Sequence, residues 1–220
     1  MRSLIKQILK EETEEVLEIP SLSIFPDGIE GLKNFIQKKN IKRWSLDDDL
    51  DLSQYKGDLA WLEGLVSVSG YLNLNGTQFK SLGNLQSVGR SLYLYGAQIE
   101  SLPNLQSVGG GLDLRKTQIK DLGNLQSVGR NLYLRYTSIK SLGNLQSVGG
   151  FLSLIDTPIE SLGNLQYVGD NLYLRGTQIK DLGNLKSVGG FLSLNKFLSK
   201  KYTDEEIRSM INVGDNIIRP

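Results

Sequence analysis

From residue 61 onward, apolar residues return with a fixed rhythm. Aligned on itself at a period of 20 residues, the chain gives seven consecutive units, beginning at Trp61, Ser81, Ser101, Asp121, Ser141, Ser161 and Asp181. Their shared pattern is S/D-L-G-N-L-Q-S-V-G-x-x-L-x-L-x-x-T-x-I-K. With the places of a unit numbered one to twenty, the leucines at twelve and fourteen alternate with outward residues, the period-2 code of a strand. They are Leu72/Leu74, Leu92/Leu94, Leu112/Leu114, Leu132/Leu134, Leu152/Leu154, Leu172/Leu174 and Leu192/Leu194. A unit this short can bury its apolar side only against its neighbours, so the pattern predicts a solenoid with one short parallel strand per unit, strands about 4.8 Å apart. Place seventeen is Thr in Thr77, Thr117, Thr137, Thr157 and Thr177, where a small hydroxyl can bond the backbone of the turn leaving the strand; Ala97 and Phe197 interrupt this ladder. Places four to nine, as in Asn84 to Gly89, read as a cap, one tight turn and a glycine stop. In that reading Asn accepts the first turn's amide, Leu85 and Val88 face inward at i and i+3, and Gly89 takes positive φ. The side opposite the strands is therefore predicted to be loop and 3₁₀ turn, with no helix longer than about one turn.

The flanks carry a different pattern. Leu50-Asp51-Leu52 lies 22 residues before Leu72 and Leu74 and predicts a degenerate first strand. Ahead of it, Ser3 to Leu17 reads as an amphipathic helix with Leu4, Ile5, Ile8, Leu9 and Val16 on one side. A second helix is predicted from about Gly28 to Lys39, burying Ile29, Leu32 and Ile36. Beyond the repeats, Thr203-Asp204-Glu205-Glu206 opens a predicted helix carrying Ile207, Met210 and Ile211. The expected organisation is a helical N-terminal flank over 1–45, a solenoid over 46–200 and a C-terminal capping helix over 201–220.

The run Leu-x-Leu-x-x-Thr-x-Ile resembles the core of leucine-rich repeats, with Thr in the place of the ladder Asn and Ile in the place of the final Leu. The resemblance covers residues 61–200, and it departs from the usual pattern in the spacing of four from Val88 to Leu92. The Gly-x-Leu-x-Leu rhythm is also similar to receptor L-domain repeats. What the resemblance implies is an α/β repeat solenoid with a parallel sheet, a loop and 3₁₀ convex side, helical flanks, and a concave sheet face that binds another macromolecule. The first dozen residues are similar to N-terminal helices of tailed-phage proteins.

Function is then read at the outward places eleven, thirteen and fifteen. Five of the nine tyrosines fall there: Tyr71, Tyr93, Tyr95, Tyr133 and Tyr173. Tyr occupies place thirteen in alternate units, at 93, 133 and 173, while aromatics fill place eleven at 71, 151 and 191. This is a 40-residue super-repeat, and Arg90, Arg130 and Asp170 alternate with Gly110, Gly150 and Gly190 at place ten to the same beat. Tyr and Arg cover large area with few rotors and still hydrogen-bond, which enriches them in binding hot spots. The candidate partner-binding residues are Tyr93, Tyr95, Arg115, Tyr133, Arg135, Phe151, Tyr173, Arg175 and Phe191. The competing reading is that aromatics favour strands and pack across neighbours.

Composition narrows the chemistry. His and Cys are both absent, which removes imidazole bases, thiolate nucleophiles, Cys/His metal sites and disulfides. Asp47, Asp49 and Asp51 imitate the start of a calcium loop, but Leu52 stands where Gly is needed and Asp58 where the bidentate Glu is, so a solvated acidic edge is expected instead. Gly109-Gly110-Gly111 is followed by no Lys-Ser or Lys-Thr and is no phosphate loop. No enzyme activity and no cofactor is expected. The net charge of +1 supplies no global field, and without a signal-peptide core or an 18-residue apolar run the expected setting is the cytoplasm of a bacterial or host cell, with no membrane partner. The repeats carry thirteen Lys or Arg against eight Asp or Glu, so nucleic acid held by Tyr stacking and Arg contacts is the alternative to a protein partner.

Overall fold

The computed structural model describes residues 16–220. It is a parallel β-solenoid of about eight turns, built from two sheets. The first strands are β1 (Leu17–Ile19), β2 (Trp44–Leu46), β3 (Leu50–Asp51), β4 (Leu65–Val68) and β5 (Leu72–Asn73). The following repeats contribute pairs: β6 (Ser87–Val88) and β7 (Leu92–Tyr93), β8 (Ser107–Val108) and β9 (Leu112–Asp113), β10 (Ser127–Val128) and β11 (Leu132–Tyr133), β12 (Ser147–Val148) and β13 (Leu152–Ser153). The last pairs are β14 (Tyr167–Val168) and β15 (Leu172–Tyr173), β16 (Ser187–Val188) and β17 (Leu192–Ser193), β18 (Asn212–Val213) and β19 (Ile217–Ile218). The odd members from β3 to β19 form a nine-stranded sheet, the leucine sheet. β1, β2 and the even members from β4 to β18 form a ten-stranded sheet, the valine sheet. Leucine stacks on leucine one turn away, Leu112 beside Leu132 and Leu132 beside Leu152.

The second sheet corrects the expectation of a loop and 3₁₀ side. Leu85 closes a tight turn by donating its N–H to the Leu82 carbonyl at 3.0 Å, and the chain then runs extended because the next turn supplies its partners. Gln106 N–H donates to Gln86 O at 2.8 Å and Gly109 N–H to Val88 O at 2.8 Å, and this repeats down the solenoid. No repeat carries a helix between its two strands. The place-four asparagine does not cap its own turn. Asn84 Nδ2 donates to Glu63 O at 2.6 Å, Asn124 Nδ2 to Pro103 O at 2.8 Å and Asn184 Nδ2 to Gly163 O at 3.1 Å, so the side chain ties each turn to the one before.

The place-nine glycines are also explained differently. None of Gly89, Gly109, Gly129, Gly149, Gly169 and Gly189 has positive φ. A Cβ on any of them would lie 2.1–2.2 Å from the carbonyl oxygen of the residue one turn back, so stacking excludes every side chain there. Left-handed residues sit elsewhere. At place sixteen, Gly76, Gly96, Lys116, Tyr136, Asp156 and Gly176 have φ between 55° and 78°, the third residue of a turn closed by the place-seventeen N–H on the place-fourteen carbonyl. The threonine hydroxyl reinforces that turn, Thr117 Oγ1 donating to Leu114 O at 2.7 Å and Thr137 Oγ1 to Leu134 O at 2.7 Å.

Between the sheets lies a continuous core. The paired leucines, the valines of the other sheet and Ile99, Ile119, Ile139, Ile159 and Ile179 from the third side of each turn are all buried. At the N-terminal end, helix α1 (Gly28–Lys38) buries Leu32 and Ile36, and the Trp44 and Trp61 rings stack 5.5 Å apart. The degenerate strand expected at 50–52 is β3, with Leu50 in register with Leu72. The helix expected over Ser3 to Leu17 lies outside the described residues except for its last two, and Leu17 opens β1. At the other end, residues 201–220 are not one helix. Two short helices, α2 (Lys196–Lys201) and α3 (Asp204–Met210), are followed by β18 and β19, which add a further strand to each sheet. Asn195, expected to point outward, is 2% exposed: its Oδ1 accepts the Leu198 N–H at 2.8 Å and its Nδ2 donates to Ile179 O at 2.8 Å, capping α2.

Candidate functional site

The outward residues of the leucine sheet are held in place by a device that spans two turns. At place eleven of alternate turns stands a polar residue whose side chain accepts the backbone N–H of place eleven one turn on. Asp49 takes Tyr71 N–H at 2.8 Å, Ser91 takes Gly111 N–H at 3.1 Å, Asn131 takes Phe151 N–H at 3.1 Å and Asn171 takes Phe191 N–H at 2.9 Å. The accepting side chain fills the space beside place ten of the following turn. A Cβ at Gly70 would lie 2.1 Å from Asp49 Oδ1, one at Gly110 2.7 Å from Ser91 Oγ, and those at Gly150 and Gly190 2.2 Å from Asn131 Oδ1 and Asn171 Oδ1. The 40-residue beat is therefore a packing rule: polar residue at place eleven, then Gly at place ten, then the large residue.

That rule lays down a ribbon of rings. Tyr71 meets Tyr93 at 6.3 Å between centroids; Tyr133, Phe151, Tyr173 and Phe191 follow one another at 4.9, 6.0 and 5.2 Å, the last three contacts with interplanar angles of 86° to 88°. Such edge-to-face contacts satisfy the ring quadrupoles and fix the rotamers. Arg115 links Tyr95 to the longer part of the ribbon. Its guanidinium lies 5.3 Å from the Tyr95 ring and 4.8 Å from the Tyr133 ring, and it donates from Nε to Asp113 Oδ1 at 2.9 Å and from Nη2 to Asp113 Oδ2 at 2.5 Å. Asp113 is 8% exposed, and its hydrogen bonds hold the Arg115 pKa above its ordinary value. Tyr93 and Tyr95 are 39% and 37% exposed, while Tyr133, Phe151, Tyr173 and Phe191 are half-buried by one another.

Of the nine residues expected at the site, the structure thus brings Tyr95, Arg115, Tyr133, Phe151, Tyr173 and Phe191 into one line of contacts, with Tyr93 beside Tyr71. Arg135 sits at its margin, donating to Asp156 Oδ2 at 3.1 Å with its guanidinium 4.5 Å from the Tyr136 ring. Arg175 is exposed two turns beyond Arg135 and takes no part in the ring contacts. Tyr71 and the buried Asp113 belong to the ribbon as well; the sequence signal for Tyr71 was its place-eleven register. The opposite, valine-sheet face carries Gln86, Gln106, Gln126, Gln146 and Gln166 in an outward row with small Ser87, Ser107, Ser127 and Ser147 beside it.

The aspartates before the repeats have structural partners rather than a merely solvated edge. Asp48 accepts the Ser21 hydroxyl at 2.8 Å, the Leu22 N–H at 3.0 Å and the Asp49 N–H at 2.8 Å, and the first of these most strongly lowers its pKa. Asp47 accepts from Ser69, and Asp51 from Ser53 and Asn73. Among the described residues no group of three or more His, Cys, Asp or Glu is placed to hold a metal ion, and no helix is long and apolar enough to cross a membrane. No protein-family model matches this chain. No curated protein and no solved structure matches it either.

Proposed function

We propose that this solenoid is a non-enzymatic protein-binding module of leucine-rich-repeat type that engages its partner through the aromatic and arginine ribbon of the leucine sheet. The observation that carries the reading is the ribbon itself: large rings, locked edge to face, half exposed along the middle of a rigid sheet. Side chains already ordered in the free protein lose little further entropy on binding, so their contact area converts to affinity with less loss. The leucine-rich-repeat assignment rests on the Leu-x-Leu-x-x-Thr-x-Ile core, complete in the four turns that carry Thr117, Thr137, Thr157 and Thr177; the valine sheet is its departure from the loop and 3₁₀ side that the resemblance implies.

A nucleic-acid partner fits the charges less well. Arg115 is paired with Asp113 and Arg135 with Asp156, so two of the three arginines on the face already have a carboxylate. Asp113 and Asp156 on the face are each engaged by an arginine, which favours binding over catalysis. The setting that suits such a module is the cytoplasm, as a phage or bacterial inhibitor or adaptor acting on a host protein.

The test is comparative capture from bacterial cytosol followed by affinity measurement on the captured protein. A Tyr133→Ala/Arg135→Ala double variant is expected to lose about 2 kcal/mol of affinity, roughly thirtyfold. Gln126→Ala and Gln146→Ala on the valine sheet are expected to bind as wild type, and binding is expected to weaken only gently with salt. Normal binding by the double variant with failure of the glutamine variants would move the working surface to the valine sheet.

A further inference from the structure

The tyrosines of the leucine sheet keep an interval of their own. Tyr93, Asp113, Tyr133, Ser153 and Tyr173 lie in register across β7, β9, β11, β13 and β15. Asp113 and Ser153 are 8% and 9% exposed, so the column presents a tyrosine at every second turn with a buried residue between. Two turns of a parallel sheet advance about 9.6 Å, and Tyr93 to Tyr173 spans about 19 Å. Phe151 and Phe191, one turn beyond Tyr133 and Tyr173, repeat at the same interval. The hydroxyls of Tyr93, Tyr133 and Tyr173 have no hydrogen-bond partner among the described residues, and those of Tyr133 and Tyr173, on half-buried rings, still reach solvent. Arg175, two residues beyond Tyr173, is exposed and has no carboxylate partner among the described residues, unlike Arg115 and Arg135.

We propose that this column binds a proline-rich segment of the protein partner, held as a polyproline II helix along the solenoid axis, with an acidic residue at its Tyr173 end. This partner class deepens, and rests on, the binding reading of the ribbon. A polyproline II helix has three residues per turn and rises about 3.1 Å per residue, so the same side returns every 9.3 Å or so, which is about 0.3 Å short of the tyrosine interval. An extended strand, whose same-side residues recur at about 6.7 Å, is out of step by about 3 Å at the first repeat. Two turns of an α-helix overshoot by about 1.2 Å. The bonding agrees with the spacing. A polyproline II backbone makes no internal hydrogen bonds, and its carbonyls need donors; the outward tyrosine hydroxyls supply them once per helical turn. Proline rings dock on aromatic side chains, and here both surfaces are ordered before they meet, which keeps the entropic cost low. Asp113 and Asp156 already engage Arg115 and Arg135, so Arg175 is the place-fifteen arginine left for a carboxylate of the ligand.

The experiment titrates the whole chain with acetylated, amidated nonaproline, about 28 Å long, and follows the tyrosine ring resonances by NMR. A Gly-Ser peptide of equal length and deca-thymidine are the controls for an unstructured chain and for single-stranded nucleic acid. Support is a saturable shift of the Tyr93, Tyr133 and Tyr173 rings with nonaproline, at least about tenfold weaker in Tyr133→Ala and intermediate in Tyr133→Phe, which keeps the ring and removes only the hydroxyl. An aspartate added at one end of the peptide is expected to tighten binding about threefold in wild type and not at all in Arg175→Ala. The proposal falls if nonaproline leaves the rings unmoved, if the Gly-Ser peptide shifts them equally, if Tyr133→Ala binds as wild type, or if aspartate at neither end acts through Arg175. Should Tyr133→Ala not fold, Tyr133→Phe binding as tightly as wild type overturns it. Tighter binding of deca-thymidine overturns it in favour of a nucleic-acid platform. If nonaproline fails while Tyr133→Ala/Arg135→Ala loses its captured partner, the ribbon remains a binding face for a partner of other chemistry; if that variant captures normally as well, both readings are overturned.

Discussion

Two glycines of neighbouring repeats illustrate how differently one residue type is used. Gly129 has an ordinary φ, but a Cβ on it would lie 2.1 Å from Gly109 O and 2.8 Å from Gly109 C, both backbone atoms fixed by the sheet. Gly143 has φ +56°, and a Cβ on it would meet nothing within 4 Å. Gly143→Ala is therefore expected to cost only the left-handed penalty, about 1 kcal/mol. Gly129→Ala must separate two turns and is expected to cost about 3 kcal/mol or more. Urea denaturation of both variants checks the ordering; equal losses would show that conformational strain, not stacking, governs these positions. A charged residue gives a second prediction at this scale. Asp48 has a folded pKa below its ordinary 3.8 because Ser21, Asp49 and Leu22 donate to it. A depressed carboxylate pKa stabilises the fold above the unfolded value, and that contribution is lost as pH falls through the folded value. Asp48→Asn should thus melt below wild type at pH 5 to 7, and the two curves should draw together as pH falls below 3.8 and through the folded value. A constant difference down to pH 2 would assign the loss to something other than the carboxylate charge.

At the scale of the element, the unit of construction is two turns. Asn131 satisfies the Phe151 N–H, Gly150 makes room for it, and Phe151 then lies between Tyr133 and Tyr173. Asn131→Ala leaves that half-buried N–H without its acceptor and is expected to cost about 1–2 kcal/mol. Asn131→Ser should recover most of it, because Ser91 performs the same service for Gly111 at 3.1 Å. Thermal melts of the pair test this, and equal destabilisation by both would mean that the side-chain volume matters and the hydrogen bond does not. The leucine strands, the threonine-closed turns and the 40-residue beat were legible in the sequence because each is a local spacing. The valine sheet was not. Leu85 and Val88 at i and i+3 obey the code of a helical turn, and a two-residue strand is too short to show alternation. What makes it a strand is the carbonyl of the next turn, a partner one period away. The stacked glycines were misread for the same reason, since nothing in a single repeat records how close the next one comes. At the face, the places of the tyrosines and arginines could be read, but the pairing of Arg115 with a buried Asp113 on its own strand turned one of the expected free cations into part of the scaffold.

A molecule made of near-identical parallel turns has an inherent hazard, because the last turn offers the next chain the same hydrogen-bonding edge it offered its own. β18 retains the features of a repeat: Gly214 stacks on Gly189, and Gly214 N–H and Asp215 N–H donate to Val188 O and Gly190 O at 2.9 and 3.2 Å. A further turn would accordingly use Ile211 O, which continues the row of Gln166 O and Lys186 O, and two oxygens beyond it, Val213 O and Asp215 O. The last two are taken by Arg208 from α3, Nη1 donating to Val213 O at 2.7 Å and Nη2 to Asp215 O at 2.6 Å. The planar guanidinium can span two carbonyls at once, which an ammonium cannot. At the opposite end no described strand lies beyond β1, where Leu17 N–H and Ile19 O bond toward β2. The Glu18 backbone and Pro20 therefore face away, and Pro20 has no N–H to offer. The ends of the valine sheet are thus blunted by one proline and one arginine. Arg208→Ala should free two acceptors and let chains join end to end: sedimentation velocity from about 5 to 200 μM is expected to show wild type as one species and the variant as a concentration-dependent series. Arg208→Lys, reaching one carbonyl at a time, should fall between them. If the alanine variant stays folded and sediments as wild type over that range, Arg208 tethers the C-terminal turn and does not guard its edge.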